Sequence, residues 1–384
     1  MAARCYLDWN ATAPVRDAVV AAVGAALRFD LGNPSSVHAE GRRARRLLDA
    51  SRRSVASLLG CDPDEVVFTS GGTEANAMAI WGLLAAGGRL EGRPLLVSAV
   101  EHPSVTAMAS EMARLGVVVV RIPVTRTGVL DPSALEEGVR THRSAVVAVQ
   151  LANSETGVRQ DLAEVSRIAH AAGASVHCDA IQAVGKVAVR VEALGVDTLA
   201  MSGHKLGAPA GVGVLVARPG RELAPLVPGA QERHRRGGTE NLSGIAGLAA
   251  AAGLAAAELP AWEAVGAVRD LFETALRERV PESVVYGSGA ARLPNTSCVG
   301  LPDGLHGGTM AAALDLEGFA VSSGPACSSG VGRGSPTVEA MGFGAAAAER
   351  TLRVSFGPGT GPEEATALAA ALERIVRRRK GDAR

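Results

Sequence analysis

The amino-acid sequence predicts an α/β protein, in which a large domain with a mostly parallel β-sheet sandwiched by helices is joined to a smaller α+β domain. Two observations support this fold class. From about residue 60 to residue 220, short apolar runs alternate with stretches of helical character, and such runs are typical of strands that are buried on both faces of a sheet. The chain also has 384 residues, a length that suits two or three domains with a large buried core.

The predicted strands of the large sheet are apolar runs of four to six residues. They cover residues 66–69, 95–98, 117–122, 145–150, 174–178, 198–201 and 212–216. Helices are expected between them: residues 73–86 are rich in alanine and open after two glycines, and residues 161–172 begin with a capping aspartate and end before Gly173. The alternation of strands with helices favours parallel pairing.

The second half of the chain predicts a smaller unit of mixed structure. An alanine-rich helix over residues 242–259, closed by Pro260, is interpreted as the bridge to this unit. Strand-like runs follow at residues 283–286, 295–299, 319–322 and 352–356, with helices between them. We therefore assign residues 15–259 to the large domain, and residues 1–14 and 260–384 to the small one.

Composition excludes several classes of protein. Lysine and arginine together number 39, as do aspartate and glutamate, so no summed charge attracts a nucleic acid. The five cysteines are odd in number and form no CxxC pair, which argues against a disulfide framework or a zinc site. No apolar run reaches the roughly 18 residues of a membrane span, and the first residues lack the order of a signal peptide. We expect a cytoplasmic protein that binds neither nucleic acid nor a membrane.

Only three of the basic side chains are lysines, namely Lys186, Lys205 and Lys380. Arginine forms no Schiff base, so an amine nucleophile would have to be one of these three. Lys380 lies in a terminal basic run that is interpreted as a solvated helix end. Lys186 follows Gly185 in a predicted loop and is interpreted as a solvated surface lysine.

Polar residues follow four of the predicted strands, at residues 70–73 (Ser-Gly-Gly-Thr), 101–103 (Glu-His-Pro), 179–182 and 202–205 (Ser-Gly-His-Lys). In a doubly wound sheet the carboxyl ends of the strands border the functional crevice. Gly-Gly-Thr at the start of a helix offers donors to a phosphate, although it is also an ordinary turn with a helix cap. Together the four segments supply an amine, a carboxylate, a flat ring and phosphate donors, as pyridoxal 5′-phosphate requires.

Four segments resemble the cysteine desulfurase family, in its NifS/IscS-like branch of the fold type I pyridoxal-phosphate enzymes. They are residues 70–74 (Ser-Gly-Gly-Thr-Glu), 177–182 (His-Cys-Asp-Ala-Ile-Gln), 202–205 (Ser-Gly-His-Lys) and 322–327 (Ser-Ser-Gly-Pro-Ala-Cys). The resemblance extends from residue 6 to residue 357, nearly the whole chain. Because several motifs occur in family order, chance is a poor explanation.

The resemblance implies a role for each matching residue around the cofactor ring. Lys205 would form the internal aldimine, and Asp179 would pair with the pyridine N–H. Gln182 would hydrogen-bond the phenolic oxygen of the ring. His102 would stack on the ring and handle protons.

The resemblance also implies a phosphate site that two subunits share. Gly72, Thr73, Ser202 and His204 would hold the phosphate, joined by Thr239 from the partner subunit, so that a homodimer completes each site. Asn153 and Ser154 would lie beside the ring, and Arg353 would bind the substrate carboxylate through a bidentate fork.

Several of these residues have an ordinary alternative. His102 could be a satisfied loop or core histidine, Asp179 could cap a turn, and Arg353 could form a surface ion pair worth less than about 1 kcal/mol. The sequence also departs from the family pattern. Ser154 stands where relatives commonly have the asparagine that contacts the ring, so that this contact is lost, bridged by water or taken over by Asn153. Residues 227–230 and Pro325 are further departures beside the predicted site.

Cys327 is the candidate sulfur nucleophile, because a glycine-rich segment follows it, whereas the other four cysteines lie in or near predicted elements, where cysteine is usually a small buried hydrophobe. The resemblance implies that L-cysteine is converted to L-alanine, and that the Cys327 persulfide passes to an acceptor such as an iron-sulfur scaffold or a tRNA-thiolation protein. Two alternatives stay open. One is a selenocysteine lyase or another β-eliminating lyase, and the other is a catalytically silent scaffold that binds the cofactor.

Overall fold

The structure is a computed structural model that describes residues 4–28, 32–324 and 334–382. Its strands are β1 (Cys5–Tyr6), β2 (Val66–Thr69), β3 (Pro94–Ser98), β4 (Val118–Ile122), β5 (Val146–Gln150), β6 (Ser175–Asp179), β7 (Thr198–Ser202), β8 (Gly213–Ala217), β9 (Val284–Tyr286), β10 (Thr296–Gly300), β11 (Phe319–Ala320) and β12 (Thr351–Ser355). Each predicted strand is present to within a few residues. Strands β6 and β7 each end one residue later than predicted, so that Asp179 and Ser202 are their last residues.

Helices connect most of these strands. They are α1 (Asp17–Arg28), α2 (Ala39–Leu59), α3 (Gly72–Ala85), α4 (Pro103–Arg114), α5 (Pro132–Thr141), α6 (Leu162–Ala171), α7 (Val191–Leu194), α8 (Leu242–Glu258), α9 (Ala261–Arg279), α10 (Gly307–Leu316), α11 (Pro336–Ala340), α12 (Ala345–Glu349) and α13 (Pro362–Asp382). A short 3₁₀ turn, Gly203–Lys205, follows β7. Within the described ranges no single helix is long and apolar enough to cross a membrane, although the pair α8 and α9, bent by 73°, passes that test jointly.

Strands β2 to β8 form one sheet in the order β2-β8-β7-β6-β5-β3-β4. All neighbours are parallel except β8, which is antiparallel to both β2 and β7. Since β8 reverses direction relative to both of its neighbours, β2 runs in the same direction as β3 to β7. The carboxyl ends of β2, β3, β5, β6 and β7 therefore lie along one edge of the sheet, which confirms the predicted fold class.

Burial explains why these segments form strands. Every residue of β2, β5, β7 and β8 is buried, as expected of strands with helices on both faces. Apolar side chains of the sheet and its helices form one large core cluster that includes Leu48, Val147 and Leu248. The edge strand β4 is partly exposed.

A second core cluster lies between β12, β10 and α9, α10 and α13, and it includes Leu7, Phe272 and Phe356. Strands β12, β10 and β9 form an antiparallel sheet, and β1 pairs in parallel with β11. The presence of Leu7 in this cluster agrees with the assignment of the first residues to the small domain. The domain boundaries at residues 14/15 and 259/260 stay predictions.

Candidate active site

A cavity of about 180 Å³ opens at the carboxyl edge of the large sheet. It is lined by nine of the predicted site residues: Gly72, Thr73, His102, Ser154, Asp179, Gln182, Ser202, His204 and Lys205. Ala11, Gln150, Ala152 and Ile181 complete the lining. Residues from five strand ends, those of β2, β3, β5, β6 and β7, and from the N-terminal segment therefore meet at one place.

One end of the cavity suits a phosphate. Helix α3 begins there, and its N-cap, Gly71, gives no side-chain cap to the amides of the first turn. Thr73 and Ser202, two hydroxyl residues, also line the cavity, and Cβ of Ser202 lies 3.3 Å from the position of a Cβ on Gly72. A Cβ on Gly72 would lie 2.2 Å from Cδ1 of Ile181, so a larger residue here would have to displace that side chain. Uncapped amides with two hydroxyls form a donor set that binds phosphate.

Asp179 lines the cavity and is 5% exposed. Its Oδ2 accepts a hydrogen bond from Nδ2 of Asn76 at 2.8 Å, and its Oδ1 accepts one from the amide of Ile181 at 3.0 Å. It forms no salt bridge with any residue in the described ranges. A buried carboxylate is stabilised by a cationic partner, and the protonated nitrogen of a pyridine ring fits that requirement.

Asn76, which is not among the predicted site residues, connects Asp179 to a buried polar network. Its Nδ2 also donates to Oγ of Ser104 at 2.9 Å, and its Oδ1 lies 2.9 Å from Nε2 of His177. The opposite orientation of the amide would place its oxygen 2.8 Å from a carboxylate oxygen, so Nδ2 faces Asp179. Burial lowers the pKa of His177 to about 3, so this ring is neutral and donates from Nε2.

His102 is the N-cap of α4, and the network fixes the position of its proton. Its Nδ1 accepts a hydrogen bond from the amide of Ser104 at 3.1 Å and lies 2.8 Å from Oγ of the same residue. An amide only donates, so Nδ1 carries no proton, and a neutral ring is protonated at Nε2. The pKa of His102 is lowered, mainly by burial. The negative charge of Asp179 opposes this shift, and the positive charge of Lys205 adds to it. His102 is therefore a neutral ring with a fixed tautomer on the cavity wall.

Lys205 ends the 3₁₀ turn that follows β7, and its amine is turned toward the N-terminal segment. Its Nζ donates to the carbonyl oxygens of Asn10 at 2.5 Å and Ala11 at 2.7 Å. The neighbouring His204 has its pKa lowered to about 4 by burial, with smaller contributions from Lys205 and His102. The predicted amine nucleophile thus lies at the cavity and is held by main-chain acceptors.

The interpretation of Lys186 as a solvated surface lysine is wrong. The residue is 3% exposed, and its Nζ donates to Oδ1 of Asn10 and to Oε1 of Gln182, both at 2.8 Å. The turn around Gly185, with a φ of 80°, directs the lysine inward. Burial, together with the charges of Lys205 and Arg353, lowers the pKa of Lys186 well below its ordinary value.

Arg353 lies on β12 with a side chain that is 1% exposed, which excludes the interpretation as a surface ion pair. Its Nη2 donates to Oδ1 of Asp8 at 2.7 Å, and its Nη1 donates to the carbonyl oxygen of Ser154 at 3.3 Å. Its Nε is buried and has no hydrogen-bond partner among the described residues. A carboxylate ligand would satisfy this donor.

Four predicted residues are absent from the described lining of the cavity, and Arg353 is one of them. Asn153 is buried, and its side chain bonds within its own turn and to Val100 and Thr337, while Ser154 lies at the cavity instead. Thr239 is exposed and lies outside the cavity lining of its own chain. Cys327 lies outside the described residues. Within those residues no cluster of three or more His, Cys, Asp or Glu side chains suits a metal ion.

A family model described as aminotransferase class-V matches residues 5–368 of this chain. A cysteine desulfurase of Cereibacter sphaeroides is 41% identical over 376 residues, which cover 97% of this chain and 96% of the relative. The cysteine desulfurase NifS of Azotobacter vinelandii is 39% identical over 377 residues, which cover 97% of this chain and 90% of the relative. The similarity therefore spans both cores and the whole cavity.

Solved structures show the same similarity in three dimensions. A NifS-like protein superposes with a TM-score of 0.89 at 30% identity, covering 97% of this chain and 99% of that protein. The structure of SspA in complex with cysteine superposes with a TM-score of 0.80 at 29% identity, covering 92% of this chain and 99% of that protein. Because the family model, the relatives and the solved structures agree over nearly the full length, this chain belongs to the aminotransferase class-V family, among its cysteine desulfurases.

Proposed function

We propose that this chain takes the sulfur atom from L-cysteine, releases L-alanine and holds the sulfur as a persulfide on Cys327 before an acceptor receives it. The observation that carries the proposal is the meeting of Lys205, Asp179 and His102 in one cavity beside a phosphate-binding helix end. The enzyme depends on pyridoxal 5′-phosphate, which when bound withdraws electrons from the Cα of the substrate.

The residues of the cavity divide this work. Asp179 stabilises the positive charge of the pyridine nitrogen, because it is a buried anion that already accepts two hydrogen bonds. Lys205 binds the cofactor and then removes the Cα proton of the substrate. His102 presents a neutral ring whose Nδ1 is turned toward Ser104. Arg353 orients the substrate through its carboxylate and offers the unpartnered Nε.

The sulfur step needs a nucleophile, and we assign it to Cys327. Its thiolate attacks the sulfur of the substrate, so that a sulfur–sulfur bond forms while the bond between Cβ and sulfur breaks. The electron pair of that bond stays on the carbon fragment, which takes up protons and leaves as L-alanine. One thiol and one cysteine thus give one persulfide and one alanine, without an external oxidant or reductant.

A homodimer is the second part of the proposal. Thr239 is exposed on its own chain and is therefore available to a neighbouring subunit, as the family resemblance implies. An acceptor such as an iron-sulfur scaffold or a tRNA-thiolation protein would then take up the sulfur. The cytoplasm, as a reducing compartment, suits a persulfide that must be transferred.

The deciding experiment is incubation of the purified chain with L-cysteine, followed by assay of alanine and sulfide and by mass spectrometry of the protein. We expect alanine from the parent and one extra sulfur on the peptide that contains Cys327. Cys327→Ser should still bind L-cysteine but release no alanine. Cys61→Ser is the matched control, because burial raises the pKa of this thiol to about 12 and makes it a poor nucleophile; this variant should resemble the parent.

Continued release of alanine by Cys327→Ser would refute the persulfide route. Steady production of sulfide with no persulfide on the protein would favour a β-eliminating lyase. A persulfide on another cysteine would retain the reaction and overturn the assignment of Cys327.

A further inference from the structure

A fully buried lysine beside the cavity has no part in the mechanism above. Lys186 donates one hydrogen bond to Oδ1 of Asn10 and one to Oε1 of Gln182, each at 2.8 Å. An amine carries two N–H groups and an ammonium three, so both bonds are donated in either protonation state. Because burial of a lysine amine is costly unless its hydrogen bonds are satisfied, this arrangement is a specific one.

The hydrogen bonds of Gln182 fix which end of its amide is nitrogen. Its Nε2 lies 3.0 Å from the carbonyl oxygen of Asn10, an atom that only accepts, so the nitrogen must face it. The other end of the amide is then the oxygen, and Lys186 donates to it. If the amide of Gln182 were reversed, its oxygen would face the carbonyl oxygen of Asn10, and its NH₂ would face the amine of Lys186. Neither contact could then be a hydrogen bond of the observed kind.

The orientation of Asn10 is fixed in the same way. Its Nδ2 donates to the carbonyl oxygen of Ser154 at 3.1 Å, so its Oδ1 is the end that faces Lys186. Asn295 also donates to this oxygen, at 3.0 Å, while its own Nδ2 reaches the carbonyl oxygen of Phe356 at 3.1 Å. Every member of the group thus has one consistent assignment of donors and acceptors.

The arrangement has a consequence at the cavity wall, which Gln182 lines. Since its oxygen is held by Lys186 and one N–H by Asn10, the second N–H of Nε2 is the polar group that it can offer to a ligand. We propose that Lys186 is a positioning residue that makes Gln182 a hydrogen-bond donor to the phenolic oxygen of the cofactor ring. This inference rests on the proposed function, because it needs the ring in this cavity.

The test compares two ligands on the full chain after its cofactor has been removed. One is pyridoxal 5′-phosphate, and the other is its 3-deoxy analogue, which lacks the phenolic oxygen. One hydrogen bond to that oxygen predicts that the parent prefers the natural cofactor by about 10-fold in dissociation constant. Lys186→Met should lose most of this preference, while its affinity for the 3-deoxy analogue stays within about 2-fold of the parent.

A double-mutant cycle shows whether Lys186 acts through Gln182. Gln182→Met should lose the same preference, and the double variant should lose no more than Gln182→Met alone. Gln160→Met is the matched control, because Gln160 is also a buried amide that bonds at both ends, to the amide of Leu130 and the carbonyl of Gly128. It should retain the preference of the parent.

Circular dichroism checks that each variant folds. If Lys186→Met does not fold, Lys186→Arg and Lys186→Gln are compared instead. Arginine keeps N–H donors that reach Gln182 and should retain the preference for the natural cofactor. Glutamine is too short to reach Gln182 and should lose that preference. The inference is overturned if Lys186→Met keeps the preference of the parent, if it loses affinity for both ligands equally, or if the losses in the double variant add. A parent that binds neither ligand would instead refute the proposed function itself.

Discussion

Asp179 has an environment that prepares it for a cation. Both of its oxygens accept hydrogen bonds, one from Asn76 and one from the amide of Ile181. These bonds fix the carboxylate in place but leave its charge without a countercharge among the described residues. The positive charge of the cofactor ring would supply that countercharge, so the charge at this position matters more than its shape.

The first prediction is that Asp179→Asn lowers alanine production by about 100-fold or more, with a smaller loss of cofactor affinity, because the charge that stabilises the pyridinium is gone. The NH₂ group of the new asparagine must also face either Nδ2 of Asn76 or the backbone amide of Ile181, both of which are donors. This mismatch lowers the free energy of unfolding by about 1–3 kcal/mol. Alanine assay and cofactor absorbance measure the two effects. Asp161→Asn removes a carboxylate that caps α6 and should leave the rate near that of the parent. Equal rates for Asp179→Asn and the parent would make Asp179 a purely structural residue.

The second prediction concerns pH. Burial lowers the pKa of His177 to about 3 from an ordinary value of 6.5, so below pH 6.5 the unfolded chain takes up a proton that the folded chain does not. This residue therefore leaves stability unaffected above pH 6.5 and reduces it progressively as the pH falls toward 3. Between about pH 7.5 and pH 5 the loss amounts to about 2 kcal/mol.

The measurement is urea unfolding of the parent and of His177→Gln across that pH range. The parent should lose about 2 kcal/mol more than the variant. Burial raises the pKa of Glu101 and Glu155, and these carboxyls act in the opposite direction, but they are common to both proteins and cancel in the difference. Identical pH profiles would mean that the folded protein accepts the proton on His177.

At the scale of elements, the segment between β1 and α1 connects the two cores. The carboxylate of Asp8 pairs with Arg353 on β12, and the carbonyls of Asn10 and Ala11 accept from Lys205 after β7. The side chain of Asn10 bonds to four residues on three further segments, namely Ser154, Lys186 and the adjacent pair Asn295 and Thr296. This segment therefore contacts both Lys205, the proposed catalytic lysine, and Arg353, the proposed substrate-binding arginine.

The third prediction is that Asn10→Ala lowers the free energy of unfolding by about 3 kcal/mol or more, because it leaves several buried donors and acceptors unpaired. It should also weaken cofactor binding, since Gln182 and Lys205 both rely on the same segment. Urea unfolding and cofactor titration measure the two effects. Thr12→Ala is the control: the residue is exposed, and among the described residues its hydroxyl hydrogen-bonds only to His204 and to the carbonyl oxygen of Ala11, so the change should cost less than about 1 kcal/mol.

The elements differ in how well the sequence predicts them. The strands and the residues at their ends were predictable, because parallel strands that are buried on both faces are apolar throughout and the residues that follow them meet at one edge. Asn76 and Asn10 were not, because their roles come from partners more than a hundred residues away. The interpretation of Lys186 as a surface residue is wrong, because no local sequence pattern shows that the turn at Gly185 directs its side chain inward. Asn76 had one clue: it lies in the first turns of α3, near the predicted phosphate site.

At the scale of the whole molecule, each subunit holds most of the site, and the proposed dimer supplies the remainder. Lys205 lines the cavity of its own chain, whereas Thr239 is exposed and outside that lining. If each site takes Lys205 from one chain and Thr239 from the other, two defective chains can complement each other.

The fourth prediction uses this complementation. Lys205→Ala chains should be inactive, and Thr239→Ala chains should bind the cofactor weakly. After the two are unfolded together and refolded at equal amounts, half of the dimers are mixed, and each mixed dimer has one site with both native residues. About one quarter of the parent activity should return. No recovery in dimers shown to be mixed would mean that Thr239 serves its own chain or none.

The backbone amide of Asn10 donates a hydrogen bond to Oγ of Ser355, and these two residues are 345 positions apart in the sequence. A loop of that length closes only after nearly all of the intervening chain has been made, and its closure is among the slow steps of folding. When β7 has been translated, Lys205 has already been made, but Arg353, which we propose binds the substrate, and Ser355, which bonds to Asn10, are still to come. We therefore expect the proposed persulfide chemistry to begin only when synthesis of the chain is nearly complete.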